Sequence, residues 1–154
     1  MKYIDENERY LFPKKAFCIE NSRYIAKLAE TEEEVQSVLR LRFEVFNLEM
    51  NEGNDSSYET EVDVDEYDSF CYHIVVIDKQ SEDVIGTYRI QTFEMAVKGK
   101  GFYSSNEYFL ESLGHDILSQ SVELGRNCIR KDHRNQIVFV FVMEDYLFGC
   151  KRIQ

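Results

Sequence analysis

The chain is short of positive charge: 18 lysines and arginines stand against 29 aspartates and glutamates in 154 residues, a formal net charge of -11. That balance opposes non-specific attraction to nucleic acid or to an anionic membrane surface, so nucleic acid is excluded as the main partner. No apolar run approaches the ~20 residues of a membrane-spanning helix, and the opening MKYIDENERYLFPKK lacks the apolar stretch of a signal peptide. These absences lead to the expectation of a soluble, cytoplasmic protein with no transmembrane segment. The cysteines Cys18, Cys71, Cys128 and Cys150 lie far apart with no paired spacing, which fits reduced core thiols better than disulfides or zinc. Also missing are a Walker-type phosphate loop, a His-Glu-x-x-His helix, a nucleophile elbow and any internal repeat.

What is present describes a globular protein, with 44% hydrophobic, 14% aromatic and 31% charged residues. The length suits one domain with a real core. We expect a lead-in over 1–22, carrying the only proline, Pro13, and a single domain over 23–154. YIAKLA at 24–29 alternates and reads as a strand. Thr31 has the form of a helix N-cap, with Glu34 at the capping-box position. The helix should run to about Met50 on the stripe Val35, Val38, Leu39, Val45 and Phe46. Arg42 falls on that same stripe, where it either snorkels to the edge or meets a carboxylate or ligand.

From Glu49 to Asp68 there are nine acids and no lysine or arginine, with small polar residues that favour a loop. Its end, VDVDEYDSF, brings Asp65 and Asp68 close to the next strand. A calcium loop fits poorly, because the glycine and terminal glutamate of that pattern are missing. CYHIVVID at 71–78 and VIGTYRIQT at 84–92 form a hairpin. Within it, His73 reads as a half-buried strand residue, and Arg89 is a charge among β-branched and aromatic neighbours. Residues 93–101 read as a connection, and 105–118 as a helix with Tyr108, Phe109 and Leu113 as its apolar part.

The stretch SVELGRNCI at 121–129 sets an acid and a base in a strand of core residues. Simple alternation would point Glu123 and Arg126 to opposite faces. Gly125 lies between them, and a bulge there would bring both to one side and free backbone N–H groups. An ordinary, partly buried ion pair is the competing reading. Further on, the apolar run at 137–143 suits a buried strand or helix core, and 146–150 a further buried strand.

Taken in order, LRFEVF, DVDEYD, HIVV, VIGTYR, FYSSNEYFL and VELGRNCI resemble the GNAT-type acyltransferases that group ornithine-lipid synthases (hemolysin-like proteins) with acyl-homoserine-lactone autoinducer synthases. The resemblance covers residues 23 to 135. It implies an α/β (α+β) GNAT-like fold, a mixed central sheet flanked by helices. It also implies transfer of a fatty acyl group to the amine of an amino acid or amino-lipid precursor. The co-substrate would be acyl carrier protein (acyl-ACP) or acyl-CoA, with no permanently bound cofactor and no metal. On the matching positions, Glu123 and Arg126 would be catalytic, with Glu123 taking the proton of the amine. Arg42, Phe46, Asp65, Asp68 and Arg89 would position the substrate and fix the loop.

Two departures bear on this. The glycine-bearing turn with which CoA-dependent relatives hold a pyrophosphate is replaced by DHRNQI, which favours an acyl carrier protein donor. Ten residues separate Asn135 from Tyr146, too few for the family's long helix. The sequence therefore reads as shortened and truncated at its C-terminus, with apolar edges that would favour a homo-oligomer. Two alternatives stay open: an autoinducer-type synthase, and a truncated, non-catalytic paralogue acting as a binding module.

Overall fold

The computed structural model describes residues 10–14, 18–53 and 55–134. Their framework is a five-stranded sheet in the order β1 (Cys18–Glu20), β2 (Tyr24–Leu28), β3 (Tyr72–Asp78), β4 (Val84–Thr92) and β5 (Val122–Ile129). Every pairing among these strands is antiparallel. The strand expected at 146–150 and the apolar run at 137–143 lie outside the described residues, as does Cys150.

Alternation along the strands separates two apolar faces. One carries Tyr24, Ala26, Leu28, Ile74, Val76, Ile85, Tyr88 and Ile90 as a single cluster. The other presents Val75 to Val35, Val38 and Leu39, and Cys128 to Leu41 and Val45. Because both faces of β3 are covered, its sequence reads as an almost continuous apolar run rather than an alternation. Burial pushes the Cys71 and Cys128 thiols up to about 12. They are free, inert core thiols, whereas Cys18 is free but exposed.

The helix α1 (Glu32–Phe43) starts as the sequence implies. The Glu34 N–H donates to Thr31 Oγ1 at 3.2 Å, and the Glu34 carboxylate accepts from the N–H of Glu30 at 2.9 Å, one residue before the cap itself. Beyond Phe43 the winding loosens to a π-helical segment, Glu44–Glu49. The expected end near Met50 therefore holds, with a change of pitch. The expected loop contains one helical turn, α2 (Ser57–Thr60), closed by Glu61 in a left-handed conformation.

Three expectations are corrected. Residues 93–101 are not merely a connection: α3 (Phe93–Lys98) is capped by Thr92, whose hydroxyl accepts from the Met95 N–H at 3.4 Å. It ends at Gly99, where a Cβ would lie 2.6 Å from the Phe70 ring. Residues 105–118 are not one helix. They form the 3₁₀ turns Tyr103–Asn106 and Leu110–Leu113 and then the four-residue α4 (His115–Leu118). Gly114, at φ +80° and ψ 153°, breaks the path with a conformation that a side chain disfavours, and Tyr108, Phe109 and Leu113 are exposed instead of packed. Finally, His73 is fully buried rather than half-buried. Its Nε2 lies 3.1 Å from the Asp68 carbonyl oxygen, and burial lowers its pKa.

Candidate active site

The inward position of Arg42 on α1 is answered by carboxylates. Nη1 donates to Asp68 Oδ1 at 2.7 Å, and Nη2 donates to Asp63 Oδ1 at 2.6 Å and to Asp68 Oδ2 at 3.2 Å. Arg42 is 0% exposed, so it does not snorkel. Arg89, facing the same side from β4, donates through Nη1 to Asp65 Oδ1 at 2.5 Å and to Asp68 Oδ1 at 3.0 Å. Burial alone would raise the Asp68 pKa, but the charge and hydrogen bonds of Arg42 outweigh it and hold the group at about 2. For both arginines burial opposes the charged form, and their aspartates outweigh it and raise the pKa. Arg42, Arg89 and Asp68 stay ionised, locked together by their hydrogen bonds.

Gly125 does not itself make the bulge. Arg89 pairs with Gly125 and Thr87 with Cys128, leaving Arg126 and Asn127 opposite Tyr88 alone. The extra residue is accommodated at Arg126, which adopts φ +49°. A non-glycine residue in the left-handed region is an uncommon, strained choice, found where the surroundings demand it. The consequence is the one expected of a bulge: Arg126 turns to the face that carries Arg89 and Glu123. Its guanidinium lies over the Phe46 ring at 5.5 Å, with Nη2 3.6 Å from Asp63 Oδ1 and Nε 3.6 Å from Asp65 Oδ2. At those distances it is attracted but not hydrogen-bonded.

Glu123 and Arg126 do not pair with each other, which removes the simple ion-pair reading. The Glu123 carboxylate instead caps the 3₁₀ turn Tyr103–Asn106. Oε2 accepts from the Tyr103 N–H at 2.7 Å and Oε1 from the Ser104 N–H at 2.9 Å, and the Ser104 hydroxyl also donates to Oε1. The turn is tied back to the cluster through Tyr67. The Asn106 amide donates to the Tyr67 hydroxyl at 2.8 Å, Tyr103 meets the Tyr67 ring edge-on at 5.5 Å, and Arg89 lies 5.7 Å from the centre of that ring.

Between β4, β5 and this turn opens a cleft of about 280 Å³, lined by Arg89, Gln91, Ser104, Glu123, Gly125 and Arg126 among others. A Cβ placed on Gly125 would meet nothing within 4 Å. The missing side chain leaves the floor of the cleft open rather than relieving a clash.

Of the residues singled out from sequence, Arg89, Glu123 and Arg126 reach the cleft, while Arg42, Phe46, Asp65 and Asp68 support it from behind. Sequence reasoning missed Asp63, buried between Val62 and the exposed Val64. It also missed Gln91, whose position two residues after Arg89 places it on the same strand face. Ser104 carries no sequence signal of its role.

A family model described as an acetyltransferase (GNAT) domain matches residues 41–144. The chain belongs to the GNAT family. The matched span runs from α1 through β5, so GNAT residues build the whole cleft. Among curated relatives, L-ornithine N(alpha)-acyltransferases from Brucella abortus (strain 2308) and Rhodobacter capsulatus are 31% and 35% identical, each over 82% of this chain. The corresponding protein of Agrobacterium fabrum is 33% identical over 71% of it. The alignments cover 47%, 52% and 40% of those proteins, so this GNAT chain spans about half the length of the curated relatives it matches. The crystal structure of the AHL synthase LasI superposes with a TM-score of 0.58 at 18% identity, over 86% of this chain and 68% of that one. That likeness is one of fold. Among the described residues no helix is long and apolar enough to cross a membrane, and no cluster of side chains is suited to hold a metal ion.

Proposed function

We propose that this chain carries the active site of a cytoplasmic N-acyltransferase that moves a fatty acyl group from acyl carrier protein to the α-amine of an amino acid, with ornithine the first acceptor to test. The observation that carries the reading is the bulge at Arg126, which turns a guanidinium onto the open cleft that the Glu123 carboxylate also lines. The names of the curated relatives point to the same chemistry, and the absence of a glycine-bearing turn in DHRNQI favours the protein-bound donor over acyl-CoA.

In this reading the acyl thioester enters over Gly125. The neutral amine attacks its carbonyl carbon, the N–C bond forms, and the C–S bond breaks. A backbone N–H released by the bulge receives the developing oxyanion. The proton lost from nitrogen passes to the Glu123 carboxylate, through water, and on to the departing thiolate. No acyl-enzyme is needed. Arg89 is fixed by Asp65 and Asp68 and forms the wall, while Arg126 is free to meet the negative charge of a substrate.

The test is single-turnover transfer from long-chain acyl carrier protein to a panel of amines that includes ornithine and glycine. Glu123→Gln should lower the rate by about 10²- to 10³-fold, with circular dichroism confirming the fold. The autoinducer-type alternative differs in its acceptor, and the product from the same panel decides it. Failure of transfer by a folded chain, with each donor and acceptor, would sink the transferase reading.

A further inference from the structure

Gln91 carries a buried amide donor that the fold leaves unsatisfied. The residue is 3% exposed, and its Nε2 finds no hydrogen-bond partner. A buried amide donor without an acceptor costs free energy, and an apolar side chain of similar size at this strand position would avoid that cost. The cost is explained when the missing partner comes from outside. Gln91 lines the cleft beside Glu123 and Arg126.

Its place in the sheet says what kind of partner fits. In the β4–β5 register Gln91 is directly opposite Glu123, and residues so opposed have Cβ atoms ~4.5–5.5 Å apart. An amide N–H calls for an acceptor oxygen, and the Glu123 carboxylate, which already accepts from the Tyr103 N–H, the Ser104 N–H and the Ser104 hydroxyl, keeps about one acceptor site for an ammonium or amine. A ligand that meets these two neighbouring side chains together carries an acceptor oxygen and an amine close to each other, as an α-amino acid does. Arg126 has no hydrogen bond at its 3.6 Å approaches to Asp63 and Asp65, and it adds positive charge to the same wall. The thioester oxygen is a poorer candidate partner, because the bulge lies toward Arg89 and Gly125, farther along the ladder from the Gln91–Glu123 pair.

We propose that Gln91 is the specificity-determining residue for the acceptor: its side-chain amide receives the α-carboxylate of an α-amino acid whose ammonium lies at Glu123. The inference rests on the acyl-transfer reading for its substrate class. It adds the residue that selects an amino acid over a simple amine and holds the α-nitrogen at the carboxylate.

The experiment compares ornithine with 1,4-diaminobutane, which has the same two amines without the carboxylate, in the wild type, Gln91→Leu and Gln91→Glu. Binding of each amine is followed by calorimetry and transfer by single-turnover kinetics. For the wild type we expect ornithine to be favoured by about tenfold or more, the worth of one good hydrogen bond to a charged group. Gln91→Leu should remove that preference through the affinity for ornithine, leaving diaminobutane and donor affinities unchanged. Its thermal midpoint should not fall, because an unsatisfied group has been removed. Gln91→Glu should weaken ornithine further, by placing like charges together. Equal changes toward both amines, or no change in ornithine binding, would overturn the proposal. Gln91-dependent ornithine binding without any acyl transfer would overturn the transferase reading instead, and keep the site.

Discussion

Two arginines that meet over one face of this sheet, Arg42 from α1 and Arg126 from β5, are embedded in different ways. Arg42 is 0% exposed and makes three hydrogen bonds to carboxylates, at 2.6 to 3.2 Å. The side chain of Arg126 is 29% exposed, and its carboxylate neighbours stand off at 3.6 Å. Asp63 borders both. The first arrangement leaves no room and little reason for a ligand, since its charges are already met. The second holds a cation close enough to be oriented by Phe46 and loosely enough to turn to a substrate. A charge buried in a fold is therefore not by itself a sign of chemistry; what distinguishes a site is a partner left incomplete.

The largest effect is expected at Arg42. Arg42→Leu takes from the buried Asp63 its hydrogen-bonding cation and leaves Asp68 to Arg89 alone, and we expect a loss of about 3–5 kcal/mol in unfolding free energy, read by denaturant titration. At the other pole, Arg126→Gln should cost under about 1 kcal/mol of stability, because the lost contacts are partly exposed and long. Its acyl transfer should nevertheless fall by about 10²-fold, the scale of removing one preorganised charge-stabilising group. A variant that lost stability and activity together would erase the distinction.

Acid sharpens the contrast in another way. The Asp68 pKa is held at about 2, well below its unfolded value of 3.8. The group therefore contributes stability that is complete above about pH 4 and is lost as pH falls through 2. Measured over that window, the wild type should lose about 2 kcal/mol through this group, and Asp68→Asn, if it folds, should show a flatter dependence. The smallest structural perturbation is at Gly125. Since a Cβ there meets no atom within 4 Å, Gly125→Val should leave the thermal midpoint within a few degrees of the wild type. It should still lower transfer by about tenfold or more, by filling the cleft.

Periodicity made much of this architecture legible. The α1 stripe placed Arg42 inward from its spacing, the hairpin and β5 followed from apolar strand patterns, and Thr31 announced the helix start. Asp63 was hidden because nine acids in one run carry no period that separates an inward carboxylate from solvated ones. The bulge was legible from Gly125, but its position was not. Which residue takes φ +49° depends on what draws the guanidinium back over Phe46, and that is a tertiary matter. The segment 105–118 misled because its apolar residues suggested a packed helix, whereas Gly114 interrupts the chain and the aromatic side chains face outward. Ser104 acquires its role only when the turn folds onto Glu123.

The most direct test of the contrast between the two arginines is to follow the guanidinium Nε–H signals by NMR while ornithine is titrated into the isotopically labelled chain, with Arg42→Lys and Arg126→Lys for assignment. We predict that the Arg126 signal shifts in a saturable way and the Arg42 signal stays in place. A saturable shift centred on Arg42, or ornithine binding that leaves Arg126 unmoved, would contradict the division of this face into a locked cluster and a ligand-receiving edge.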